Sequence, residues 1–155
     1  KSQDLYALNN SQRAQLRAGN LGFVFQQFHL LPYLDVLGNV MVTGVATGRN
    51  GDTTSRAQAL LEQFGLSGRA GHHPAELSVG EQQRVALARA VFAGASILLA
   101  DEPTGNLDRD NAAVVLGFMK TFADDGGVVL LVTHDDRALD YASRKIAVVE
   151  GRIED

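Results

Sequence analysis

Three short apolar runs constrain this chain most: Leu21–Phe25 (LGFVF), residues 97–100 (ILLA) and Val128–Val132 (VVLLV). Wholly apolar runs of this length suit strands of a parallel sheet covered on both faces, where alternation with polar residues is not needed. The last two runs flank residues 111–122, which have helical spacing, so strand, helix and strand form a βαβ unit with an expected right-handed crossover. The fold class read from this pattern is α/β with a mostly parallel sheet. Residues from about 30 to 92 form a mostly helical middle.

Local signals fill in the rest. A short amphipathic helix is expected over residues 5–16, capped by Asn10 or Ser11. Pro32 argues for a loop, and Asp35 for the cap of a helix running through Val40 and Met41. Residues 48–52 hold two glycines, an asparagine and an aspartate, the clearest loop signal in the chain. Ala57, Leu60, Leu61 and Phe64 recur at helical spacing, with Gly65 as a natural stop. Ser78 and Glu81 match a capping box at the head of an Ala/Leu/Val-rich helix that reaches Phe92 and ends at Gly94. A further short helix is expected over 138–142, and a terminal hairpin over 146–153 around Glu150-Gly151.

Composition excludes several function classes. The 155 residues suffice for one domain, which can bury about 70% of its unfolded surface. An apolar fraction of 45% rules out a disordered tail, and no apolar run approaches the ~18 residues of a membrane span. The start of the chain does not resemble a signal peptide. The absence of cysteine removes disulfides, thiolate metal sites and cysteine nucleophiles, and fits a reducing compartment. A net charge of -4, no tryptophan and three tyrosines disfavour nucleic acid as a partner.

Four groups of residues carry chemistry. Asp101 and Glu102 directly follow a strand, at the carboxyl end where open α/β sheets bind ligands. One carboxylate there can hold a hydrated Mg²⁺ while its neighbour orients a water. His134 follows the next strand at the same edge and can donate to a phosphate oxygen. Ser78 and Gly80 open a long helix, whose free N–H groups and partial positive charge suit phosphate. Gln26 follows the first strand and can contact a metal-bound water. Taken singly, each also has a plain structural account: a charged turn, a solvated histidine, a well-capped helix, a surface glutamine.

In this order and spacing the four groups resemble an ATP-binding-cassette (ABC) ATPase. FVFQQFHLLP resembles that family's Q-loop, LSVGEQQRVALARA its signature helix, ILLADEPTGNLD its Walker B and D-loop, LVTHD its switch-histidine loop and VVEGRI its closing hairpin. The resemblance covers essentially the whole chain, and its wording is most similar to the branch serving lipoprotein-releasing and macrolide-export transporters. It implies a RecA-like P-loop NTPase core from residues 1–29 and 93–155, with 30–92 as an inserted helical subdomain bearing the signature. It also implies ATP and Mg²⁺ as ligands, a transmembrane permease and a second ATPase subunit as partners, and a cytoplasmic position on the inner face of the membrane. Carried across, Glu102 polarises the attacking water, Asp101 helps hold Mg²⁺, and His134 contacts the γ-phosphate. Gln26 senses metal and γ-phosphate, Asp108 acts across the dimer interface, and Ser78, Gly80 and the adjoining Glu81 face the partner subunit's ATP. Residues 28–32 and the helical middle face the transport subunit.

The sequence departs from that pattern in three places. Lysine occurs only at Lys1, Lys120 and Lys145, none after a glycine, so the G-x-x-x-x-G-K-[ST] phosphate cradle is not among these residues. The resemblance puts it upstream of Lys1, so the chain reads as the C-terminal part of the domain. Weak or no ATP binding by this stretch alone follows, with an unpaired sheet edge and exposed apolar surface. Val79 stands where the family has a glycine, with strain expected if the position needs φ > 0. Glu81 stands where the family has glutamine, and either adds charge near a phosphate or completes the capping box. Beside the ATPase reading stands a P-loop-less half-site that completes a partner's ATP site without hydrolysis. A ribosome- or DNA-acting relative is disfavoured by the acidic charge and the lack of coiled-coil arms. His72-His73 lacks the spacing of a shared metal site, and Asp124-Asp125 reads as a polar turn.

Overall fold

The computed structural model describes residues 4–47 and 53–154; the expected loop at 48–52 lies outside the described residues. Strands β1 (Leu21–Phe25), β2 (Ile97–Asp101) and β3 (Val128–Val132) form one parallel sheet in the order β1-β2-β3. Their register aligns Phe25, Asp101 and Val132 at the carboxyl end. Between β1 and β2 run α2 (Val36–Thr47), α3 (Thr53–Gln63) and α4 (Val79–Phe92); α5 (Arg109–Asp124) joins β2 to β3. The expected βαβ unit is present.

Helix α4 organises the interior. Val85, Ala86, Leu87, Ala88, Ala90 and Phe92 are all buried, and the helix packs against α2, α3, α5 and β1. Burying a side chain such as Phe92 is worth about 1.5–3 kcal/mol, and Arg56 on α3 stacks its guanidinium 5.0 Å from that ring's centre. Gly22 lets the sheet approach closely: a Cβ there would lie 2.9 Å from the Ala90 carbonyl oxygen. Asn39, fully buried on α2, donates to the carbonyls of Leu31, Leu34 and Asp35 and accepts from the Leu31 amide, which fixes the 31–35 turn. Asp35 caps α2 as expected, accepting from the Gly38 amide at 2.7 Å. Gln83 on α4 is fully buried with no hydrogen-bond partner among the described residues, and nothing in the structure explains it.

Several expectations are corrected. The first helix is α1 (Asn10–Asn20), not 5–16, and its cap is Asn9 rather than Asn10 or Ser11. Asn9 and Gln12 form a reciprocal capping box, while Leu5–Ala7 is a separate 3₁₀ turn capped by Asp4. The 138–142 helix is a 3₁₀ turn at Asp136–Tyr141. Among the described residues the sheet is covered on one face only. Gly22, Val24, Leu98 and Ala100 face the helices, whereas Phe23 (44% exposed), Leu130 (56%) and Val132 (58%) face outward. Apolar composition on both faces of a strand marks what it can bury against, not what is packed there. Among the described residues β1 and β3 are the outer strands of the sheet. The terminal hairpin, β4 (Ala147–Val149) with β5 (Arg152–Glu154), turns through Glu150 and Gly151, both at positive φ, as a two-residue hairpin turn requires.

Candidate functional site

The carboxyl ends of β1, β2 and β3 bring Gln26, Asp101, Glu102 and His134 to one edge. The Glu102 amide extends the sheet by donating to the Val132 carbonyl at 2.9 Å, then the chain turns sharply, with Glu102 at φ +45. A non-glycine residue in this region stores strain that the surroundings must hold in place. They do. Thr133 Oγ1 donates to Glu102 Oε2 at 3.0 Å, the His134 amide donates to Oε1 at 3.1 Å, and His134 Nδ1 lies 2.7 Å from the same oxygen. The residues after β3 thus grip the carboxylate after β2.

Electrostatics follow from that grip. Partial burial pushes the Glu102 carboxyl up, but the His134 and Thr133 hydrogen bonds and the histidine's charge outweigh it, so the group sits below the ordinary glutamate value. The hydrogen bond to Glu102, then its charge, raises the His134 imidazole. The ion pair therefore exists in a pH window. The carboxylate's contribution is lost as pH falls through its lowered pKa, and the imidazolium's as pH rises through its raised one. The His134 ring titration followed by NMR is expected to fall toward the free-imidazole value in Glu102→Gln; an unmoved midpoint would exclude Glu102 as its cause.

Asp101 ends β2 on the open face of the sheet, exposed, and its carboxylate has no hydrogen-bond partner among the described residues. That leaves an oxygen donor set available to a hard cation. The Gln26 carbonyl accepts from Asn106 Nδ2 at 3.2 Å, and its amide covers Gly105, where a Cβ would lie 2.8 Å from Nε2. Thr104, 1% exposed, donates to Asp135, whose carboxyl is pulled down to about 2 by Arg137 hydrogen bonds, against burial, with help from Thr104.

The signature residues lie in a second group. Ser78 and Glu81 form the expected capping box: Ser78 Oγ accepts from the Glu81 amide and Glu81 Oε2 from the Ser78 amide. The Ser78 amide bond first, then Arg69 at 2.8 Å, hold the Glu81 carboxyl at about 2 despite burial. Both carboxylate oxygens of Glu81 are thus engaged within the chain. Val79 is the first residue of α4 and 46% exposed. Among described non-glycine residues only His29, Glu102 and Glu150 have positive φ, so the strain expected at Val79 is absent, because the helix starts there. Asp108 caps α5, accepting from the Asn111 amide and from Asn111 Nδ2, and Asn111 Oδ1 in turn accepts from Arg84 on α4. The Asp108 turn and the signature helix are joined through this one asparagine.

Sequence reasoning missed Thr133, Asn111, Arg84 and the Thr104–Asp135 bond. Each works by holding another side chain: Arg84, Thr104, Thr133 and Asp135 lie inside the quoted motifs, but nothing in those motifs names their partners, and Asn111 lies outside every one of them. A depression of about 490 Å³ lined by Ser55, Gln58, Glu62 and Ser67 flanks α3 and is not part of either group.

Gln26, Asp101, Glu102 and His134 thus meet at one strand edge, and the capped helix α4 is tied to α5 through Arg84 and Asn111. The profile of the ABC transporter family matches residues 2–105, and the chain belongs to that family. It is 43% identical over 152 residues to the macrolide export ATP-binding/permease protein MacB of Nitrobacter winogradskyi, covering 97% of this chain and 24% of that protein. It is 43% identical over 147 residues to a probable syringafactin export ATP-binding/permease protein of Pseudomonas syringae, covering 94% and 22%. The chain thus spans about a quarter of the length of these curated relatives. Among solved structures, a dimeric bacterial ABC transporter cassette superposes with a TM-score of 0.85 at 36% identity, covering 96% of this chain and 66% of that one. A post-hydrolysis state of that cassette, bound to ADP and Pi, superposes with a TM-score of 0.78 at 32% identity, covering 96% and 67%. The RecA-like α/β fold is therefore established. Among the described residues, no helix is long and apolar enough to cross a membrane.

Proposed function

We propose that this chain supplies the ATP-hydrolysing site of an ABC exporter of the MacB kind, powering export or lipoprotein and lipid extraction by a membrane permease. The observation that carries the reading is the Glu102 carboxylate, fixed at the end of β2 by Thr133 and His134 from the end of β3. In this reading Glu102 accepts a proton from the water that attacks the γ-phosphate. The Glu102 carboxylate favours the protonated imidazole, and in that form Nδ1–H bonds to Glu102 while the Nε2 proton is available to a γ-phosphate oxygen. Asp101 and Gln26 would hold Mg²⁺ through water, and the ion when bound neutralises phosphate charge. Ser78 and Gly80, at the N-terminus of α4, face ATP held by a second ATPase subunit, and Asp108 acts across that interface. Glu81 acts there by completing the cap.

Residues 1–29 and 93–155 serve as the core and 30–92 as the helical arm that meets the permease, on the cytoplasmic face of the membrane. The half-site alternative has no support: the relatives are export ATP-binding/permease proteins, and a matched cassette was solved with ADP and Pi. In the full-length protein, ATP hydrolysis is expected to require Mg²⁺ and to stop with EDTA. Turnover that persists without a divalent ion, or no turnover with one, would overturn the reading.

A further inference from the structure

Beyond the strand edge, one charged side chain sits where packing alone gives it no reason to be. Arg89 lies in the apolar stretch VALARAVF of α4, half-buried, and pairs with no carboxylate among the described residues. Its Nη1 donates to the His29 carbonyl at 2.6 Å and its Nη2 to the Phe28 carbonyl at 2.8 Å, some sixty residues away in sequence. Two consecutive carbonyls converge on one guanidinium only because the chain folds back there: His29 is at φ +48, with its ring edge-on to Phe25 at 5.1 Å. A planar fork of donors matches this geometry, whereas an ammonium would not. His29 is exposed, so water could satisfy its carbonyl. Withdrawing a guanidinium from solvent to do so is costly unless the fixed geometry itself is used.

We propose that Arg89 is a positioning residue for Gln26, tying the loop that carries it to the helix that carries Ser78 and Gly80. Gln26 lies just before the clamped carbonyls, with its own carbonyl held by Asn106 and its amide packed on Gly105. The far side of the loop is fastened by Asn39. The backbone of Arg89 is tied as well: its carbonyl accepts from Thr43 Oγ1 on α2 at 3.1 Å. Arg89 is eleven residues along α4 from Ser78, roughly 16 Å at helical rise, so a stiff rod links the signature end to the Gln26 loop. A shift of α4 moves the clamp, and with it the reach of Gln26.

The inference rests on the ATPase reading for its consequence but not for its geometry, and the test separates the two. Arg89→Lys and Arg89→Met are compared with wild type and with Gln26→Ala in the full-length protein. Arg89→Met is expected to lower kcat about tenfold, as misplacement of a contacting group does, with the KM for ATP within about twofold. In the Gln26→Ala background it is expected to cost nothing further. Full additivity with Gln26→Ala, or an unchanged kcat, would overturn the proposal. Amide hydrogen exchange over residues 26–31, measured without nucleotide in the milder Arg89→Lys, is expected to quicken about tenfold while residues 82–88 stay protected. Unchanged exchange there removes the clamp even where ATP turnover is normal. Quickened exchange in a protein that never hydrolyses ATP removes the ATPase reading and leaves the clamp.

Discussion

Replacing Glu102 with glutamine is expected to cut ATP turnover by two to four orders of magnitude, about the range a positioned general base contributes, while leaving ATP bound and the ATP-held dimer intact. The substitution is close to isosteric, so the surrounding bonds decide what it tests. A glutamine Oε1 still accepts from the His134 amide at the position now 3.1 Å away, and its Nε2 can donate to Thr133 Oγ1, which now donates to Oε2. The turn at φ +45 keeps its anchors, and thermal stability should hardly move. What disappears is the basic oxygen, and with it the carboxylate hydrogen bond and then the charge that raise His134. Turnover and nucleotide-dependent dimerisation measured side by side separate the possibilities. Turnover within a few-fold of wild type would leave Glu102 as a latch between two strand ends. Lost turnover with lost dimerisation would place its role in binding.

The strand segments and the caps at Asp35 and Ser78 were legible in the sequence because both are local. LGFVF and VVLLV became strands with the residues read for them, and Ser78-x-x-Glu81 became a capping box, since a cap needs only residues three apart. The edge bearing Gln26, Asp101, Glu102 and His134 was legible for a related reason: each follows an apolar strand, and parallel strands present their carboxyl ends together. What holds those side chains was not legible. Thr133 and Glu102 are thirty-one residues apart, Arg84 and Asn111 twenty-seven, and no period in the chain encodes either pair. The open face of β3 was misread because Val128, Leu130 and Val132 are apolar whether or not anything covers them. Asn9 was overlooked as a cap because Asn9, Asn10 and Ser11 are all good caps, and only the reciprocal bond to Gln12 selects among them.

Gly80→Ala is expected to lower the melting temperature by several degrees and to weaken ATP-driven dimerisation, and Asn111→Ala is expected to cancel most of the loss. On propensity alone, alanine should gain up to about 1 kcal/mol over glycine in a helix. Contact reverses the sign. A Cβ at position 80 would run into Oδ1 and Cγ of Asn111 and sit 3.1 Å from its Cβ. Asn111 cannot swing aside freely, because Arg84 holds its Oδ1 at 3.0 Å and Asp108 its Nδ2 at 2.7 Å. Relief means breaking those bonds or parting α4 from α5, and overpacking of this kind costs about 1–3 kcal/mol. For a chain of this length each kcal/mol shifts the midpoint by about 2–4 °C. In the double variant Oδ1 and Cγ are gone and only the Cβ contact at 3.1 Å remains, which a shift of a few tenths of an ångström relieves. Most of the cost of Gly80→Ala should therefore disappear in the Asn111→Ala background, a coupling a two-by-two cycle reads directly. Equal costs in both backgrounds would mean that Asn111 is not what requires glycine there. If stability is rescued while dimerisation stays weak, the asparagine matters for more than room: it sets the Asp108 turn against the signature helix, and the interface needs both in register.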